Sequence, residues 1–248
     1  MNSRFHPETP GTPFSEPLEN AGYNEVLQRL PHLEDKIVRR EYWKTNREDR
    51  KKEQQMWDVL RRQYNLHVPN IQMIVSHDER GNEVVFKIID EIEGENLRAI
   101  HSVPSYEKEK ADVFFAGLTR YLFETFKSGS EYLSDLCEME QYVYGRNKDD
   151  KVNNFWIVDV NLFTEGPREG NNDYNYDEEL LGSFKMLASD IVSMERKMTP
   201  TQHLSQARKH AREFLSYLTS HPSVDPELKE EFTKDIREIL RQQTPRES

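Results

Sequence analysis

Cysteine is nearly absent: Cys137 is the one thiol in 248 residues. That excludes an internal disulfide framework and any zinc site built on several cysteines. Long apolar runs are missing too. No stretch approaches the ~18–20 consecutive apolar residues of a membrane-spanning helix. The opening residues, MNSRFHPETPGTPFSEP, hold no apolar core of a secretory signal. Positive charge is in deficit, with a formal net charge of −11. Duplex nucleic acid and anionic membranes both select basic surfaces, so neither is expected as the main partner. The expectation is a cytoplasmic protein whose partner is another protein or a small molecule.

What is present still folds. Hydrophobic residues make up 35% and charged residues 32%, against roughly 45–50% and 25% in average globular chains. The core must therefore concentrate in a few segments, with solvated helix faces elsewhere. Aromatics at 10% are too many for a disordered chain of this polarity. Residues 1–20, with Pro7, Pro10, Pro13 and Pro17, read as a flexible tail, and 243–248 as a frayed end.

Between the tails the hydrophobic period changes in an informative order. Lys36 to Trp43 (KIVRREYW) predicts a strand, and 47–64 a helix with Glu53, Trp57, Leu60 and Tyr64 on one face. Ile71–Ser76 and Val84–Ile89, joined by a polar turn with Gly81, predict an antiparallel hairpin. Asp90–Leu97 (DEIEGENL) leaves the sheet through Gly94. A long helix follows at about 106–127, with Val113, Phe114, Leu118, Tyr121, Leu122 and Phe126 inward. Gln141–Tyr144 and Phe155–Val160 predict a second strand pair, followed by an acidic loop over 164–176. Helices at about 177–197, 201–220 and 226–242 finish the chain. Thr199–Pro200 and Asp225–Pro226 supply the starts of the last two. Strands and helices segregate, which predicts an α+β fold.

Three acids carry the candidate chemistry. Asp159 sits in the apolar strand FWIVDV. A buried carboxylate needs a partner, so it either caps the following turn or holds a cation. Glu53 shares a helix face with Trp57 and wants a cationic partner, for which Arg40 on the preceding strand is preferred; the alternative is an exposed glutamate at the edge of that face. Asp135, in EYLSDLCEMEQ, is a loop aspartate that reads as a helix cap or a solvated residue unless it converges on Asp159. His101, His203 and His210 stand at no metal-ligand spacing.

This element order resembles the protein-kinase-like fold, the superfamily that includes aminoglycoside phosphotransferases. Residues 21–92 resemble a small antiparallel-sheet lobe with one helix. Residues 93–242 resemble a mainly helical lobe with a short strand pair, and DEIEGENL resembles the hinge. The resemblance implies a bilobal molecule with ATP and Mg²⁺ as cofactors. It implies Asp159 as a metal ligand, Gln141 (or Glu140) as the second ligand, Asp135 as the catalytic-loop aspartate, and Arg40 with Glu53 at the nucleotide.

The departures shape the functional expectation. Asp135 follows Leu-Ser rather than His-Arg or His-Gly, and Asp159 precedes Val-Asn rather than Phe-Gly. Arg40 replaces the strand lysine, and a guanidinium is not an equivalent phosphate clamp. No glycine-rich loop precedes the first strand. The expectation is a degenerate, pseudokinase-like domain acting as a binding or regulatory module. The alternatives are an atypical ATP/Mg-dependent phosphotransferase and a kinase-unrelated α+β interaction domain.

Overall fold

The computed structural model describes residues 21–22, 36–41, 47–77, 80–130, 132–137, 139–148, 150–158, 163–164, 176–222 and 224–241. The expected N-terminal tail, most of the expected acidic loop and the C-terminal end fall outside them. The fold is α+β, and the chain divides into two compact units.

The first unit is built on a four-stranded sheet of order β1-β3-β4-β2. Its strands are β1 (Ala21–Gly22), β2 (Lys36–Glu41), β3 (Ile71–His77) and β4 (Glu83–Asp90). β4 lies antiparallel between β2 and β3, with Ile37 and Ile71 both opposite Ile89. The predicted hairpin is therefore present, and Gly81 takes φ +76° in its turn, where a side chain would be strained. The sheet is not wholly antiparallel, because β1 joins the free edge of β3 in parallel. β2 bears out the predicted strand from Lys36 to Glu41, and its predicted end, Tyr42 and Trp43, lies outside the described residues. Val84, Val85, Phe86, Ile88 and Ile89 are all buried, so both faces of β4 are covered. α1 (Arg47–Tyr64) has the predicted bounds, and its first part, to Asp58, belongs here with Trp57 buried.

The second unit takes the last turns of α1 and most of the rest. β5 (Glu93–Asn96), β8 (Tyr142–Arg146) and β9 (Asn154–Ile157) form a three-stranded sheet in that order. DEIEGENL thus leaves the first sheet only to enter another. Gly94 is needed there, since a Cβ would sit 2.5 Å from the Tyr144 carbonyl oxygen and 2.7 Å from the Gly145 Cα. Two-residue strands β6 (Val103–Pro104), β7 (Tyr132–Leu133), β10 (Phe163–Thr164) and β11 (Met198–Thr199) pair as β7 with β10 and β6 with β11.

α2 (Lys108–Ser128) is the spine of this unit. Phe114, Leu118, Tyr121, Leu122 and Phe126 are buried as predicted, but Val113 is 36% exposed. At about 100° per residue Val113 falls off the stripe, and fully buried Phe115 falls on it. Phe114 and Phe115 meet the Tyr142 ring edge-on, at 5.2 and 6.0 Å between centroids. Farther along, Phe126 and Phe184 close on Phe214 at 5.2 and 4.1 Å. Gly129, at φ +60°, ends α2 by donating its N–H to the Thr125 carbonyl.

Three helices follow: α3 (Tyr176–Lys197), α4 (Ser205–Ser220) and α5 (Pro226–Arg241). Asp225 caps α5 as predicted, its Oδ1 accepting the N–H groups of Glu227 and Leu228 at 3.0 Å. Thr199–Pro200 does not start α4. Thr199 belongs to β11, and α4 begins at Ser205, preceded by Leu204, whose side chain makes no cap. Its open N–H groups are taken by distant carboxylates instead. Asp112 of α2 accepts from Gln206 and Ala207 at 2.9 Å, and Glu195 of α3 accepts from Leu204 at 2.8 Å.

Candidate functional site

In the first unit, the register sets Arg40 opposite Phe86 and Arg39 opposite Lys87. The side chains of Arg40 and Glu53 lie outside the described part, and so does the expected ion pair between them. What the sequence reading missed is Lys87, which is 4% exposed in the middle of β4. It stands between Arg39 on β2 and Met73 on β3. A buried ammonium is costly without compensating polar groups. Its signal was a lysine inside EVVFKIID, the same kind of pattern that singled out Asp159 in FWIVDV.

In the second unit, the segment carrying Asp135 and Gln141 is a pair of short 3-10 turns, Ser134–Cys137 and Met139–Gln141. It is fastened at several points. The fully buried Tyr142 donates its hydroxyl to the Leu136 carbonyl, and its own carbonyl accepts the Leu97 N–H at 2.9 Å. Asn96 donates its side-chain amide to the Glu140 carbonyl at 2.6 Å, and Arg98 pairs with the Glu140 carboxylate. The Gln141 carbonyl accepts the Val158 N–H at 2.9 Å.

These bonds decide what each predicted residue has left to offer. The backbone hydrogen bond joins Gln141 directly to Val158, the residue before Asp159, and Gln141 keeps a half-buried side-chain amide. Glu140, the alternative ligand, is already engaged by Arg98. Asp159 lies outside the described residues, as does the side chain of Asp135. Among the described residues no group of three or more His, Cys, Asp or Glu side chains is placed to hold a metal ion.

Several groups elsewhere in the second unit are perturbed. Burial first, and the Glu107 carboxylate second, push the Tyr144 hydroxyl up to about 12. Burial also pushes Tyr64 above its ordinary value, helped by its 2.7 Å hydrogen bond to Glu124. Burial lowers Lys197, against the pull of Asp190 and Glu95. Its ammonium donates to the Leu97 and Arg98 carbonyls and so ties the end of α3 to the chain leaving β5. A cavity of about 220 Å³ lies beside α2, lined by Asn65, His67, Lys110, Val113, Phe114 and Phe155. It is smaller than the roughly 300–1,000 Å³ of small-molecule sites.

No protein-family model matches the chain, and no curated protein is significantly similar to it. Among the described residues no helix is long and apolar enough to cross a membrane.

Proposed function

We propose that this chain is a degenerate kinase-like domain that acts as a binding or regulatory module, with weak or no phosphotransfer. The observation that carries the reading is the sheet order around α1. A strand, a helix and a hairpin give the order β2-β4-β3, with the helix inserted between β2 and β3. A small kinase-like lobe is built in that way, and the long helix, the 3-10 segment and the β8–β9 pair follow in the order of a large lobe. The Gln141–Val158 bond supports a site in which Asp159 and Gln141 serve one Mg²⁺-nucleotide. The departures from the catalytic motifs support binding without turnover.

The test is thermal unfolding with and without ATP and Mg²⁺, repeated on Asp159→Ala. Nucleotide at ten times its Kd stabilises by about 1.4 kcal/mol, which moves Tm by a few degrees in a chain of this size. The expected result is that shift in the native protein, its loss in Asp159→Ala, and ATP hydrolysis at background. A flat native response at millimolar nucleotide refutes the reading and favours an α+β interaction domain. Turnover that disappears in Asp135→Asn favours an atypical phosphotransferase instead.

A further inference from the structure

The last two helices enclose a groove whose charge opposes that of the whole chain. Two adjoining cavities, of about 390 and 510 Å³, run between α4 and α5 and share Thr219 and Arg237. Arg212, Lys229, Lys234, Arg237 and Arg241 line them, with Glu230 as the single acid. The chain as a whole carries −11. Among the described residues, Arg212, Lys234, Arg237 and Arg241 are exposed and have no carboxylate within ion-pair distance. Of the other acids of α5, Asp235 pairs with Lys185 of α3, while Glu227 and Glu238 follow just beyond Lys234 around the helix and border the row. Thr233 also lines the groove. It is 7% exposed, and its hydroxyl has no hydrogen-bond partner among the described residues.

We infer that this groove docks an extended acidic segment of a protein partner. The spacing of the cations selects an extended occupant. Lys229 and Arg241 are twelve positions apart on one helix, about 18 Å at 1.5 Å per residue. A single phosphate cannot meet charges spread that far, whereas five or six residues of extended peptide span about 18 Å. The lining also discriminates between polyanions. None of its residues is aromatic, and single-stranded nucleic acids take much of their affinity from stacking on aromatic side chains. Carboxylates need only the cations. Lys229 is held in place by donating to the His221 carbonyl at 2.6 Å, which fixes one end of the row. The inference stands apart from nucleotide binding, since it uses no residue of that reading.

The test is fluorescence anisotropy of labelled octaglutamate titrated with the full chain, with octalysine and an oligothymidylate as competing probes. Octaglutamate is expected to bind at low salt and to be released as salt screens the pairs. Arg237→Glu with Arg241→Glu is expected to weaken binding about tenfold or more, with far-UV circular dichroism and Tm unchanged because both side chains are exposed. The milder Arg237→Gln with Arg241→Gln should fall between. Absence of octaglutamate binding at millimolar protein, or equal affinity in the charge-reversed variant, overturns the inference. Tighter binding of oligothymidylate through the same arginines overturns the choice of a protein partner.

Discussion

Arg208→Met should be the most damaging single substitution in the helical unit. Glu195 is fully buried on α3, and its carboxylate accepts Arg208 Nε at 2.6 Å, Arg208 Nη2 at 2.5 Å and the Leu204 N–H at 2.8 Å. The same guanidinium donates Nη1 to the Leu240 carbonyl near the end of α5. One ion pair therefore joins three helices. Removing Arg208 strands an ionised carboxylate in the interior, which costs about 3–5 kcal/mol. His203 Nδ1, 3.4 Å away and more than half exposed, is a weak substitute. With an m-value of about 3 kcal/mol/M in urea, the unfolding midpoint falls by roughly 1–1.7 M. Helical ellipticity reads this directly, because α3, α4 and α5 all meet at the pair. Glu195→Gln strands the guanidinium in turn, yet its amide oxygen still accepts from Leu204. The double variant Glu195→Gln/Arg208→Met removes both charges and should cost less than the two singles together, by about 2 kcal/mol or more. A cost below about 1 kcal/mol for Arg208→Met, or strict additivity of the two, refutes the reasoning.

Asp112→Ala leaves the N–H groups of Gln206 and Ala207 without their acceptor, so urea melts should show a loss of about 1–2 kcal/mol, with Asp112→Asn losing less. Gly117→Ala gains helix propensity of about 1 kcal/mol, but its Cβ would lie 2.6 Å from the Tyr64 carbonyl. Both atoms sit on packed helices, so the net effect on Tm is a decrease. Thr233→Val removes a buried hydroxyl that lacks a partner, and should raise stability by about 1 kcal/mol in the same melts. Tyr144 and Tyr64 both have raised folded values, so their contribution is intact below the unfolded value of 10.0 and declines as pH climbs from there, for Tyr144 through about 12. Tyr144→Phe should flatten that alkaline loss, measured as the urea midpoint on either side of pH 10.

Periodic segments were readable from the sequence because one physical rule decides them. α1 and the β3–β4 hairpin came out within a residue of prediction, since Trp57, Leu60 and Tyr64 repeat at helical spacing and the strands are bounded by turn residues. The start of α4 was misplaced by four residues because its cap is not local. A threonine and a proline look like a helix start in one dimension, but Asp112 and Glu195 satisfy the helix from other elements. Only tertiary structure brings residues 94 positions apart to one helix end. Val113 differs, because helical periodicity alone puts it off the stripe and Phe115 on it. Its apolar character suggested burial, but position on the helix decides it, and Val113 borders the cavity next to α2. On the site, the apolar-strand criterion selected Asp159 and passed over Lys87. Applied evenly, it selects both, and it selects on burial rather than on chemistry.

The α4–α5 groove changes how the chain's charge bears on its partners. The sequence argument against polyanions used the net charge of −11, a property of the far field. In physiological salt, exposed charges more than about 8 Å apart are largely screened from one another. A ligand lying between α4 and α5 therefore responds to Arg212, Lys229, Lys234, Arg237 and Arg241, to Glu230 among them and to the acids of α5 within a turn, and much less to acids on more distant faces. Net charge then slows the approach of an anion without forbidding its binding. What separates an acidic peptide from a nucleic acid at this groove is local chemistry, a row of cations without an aromatic platform, and no whole-chain sum contains that information.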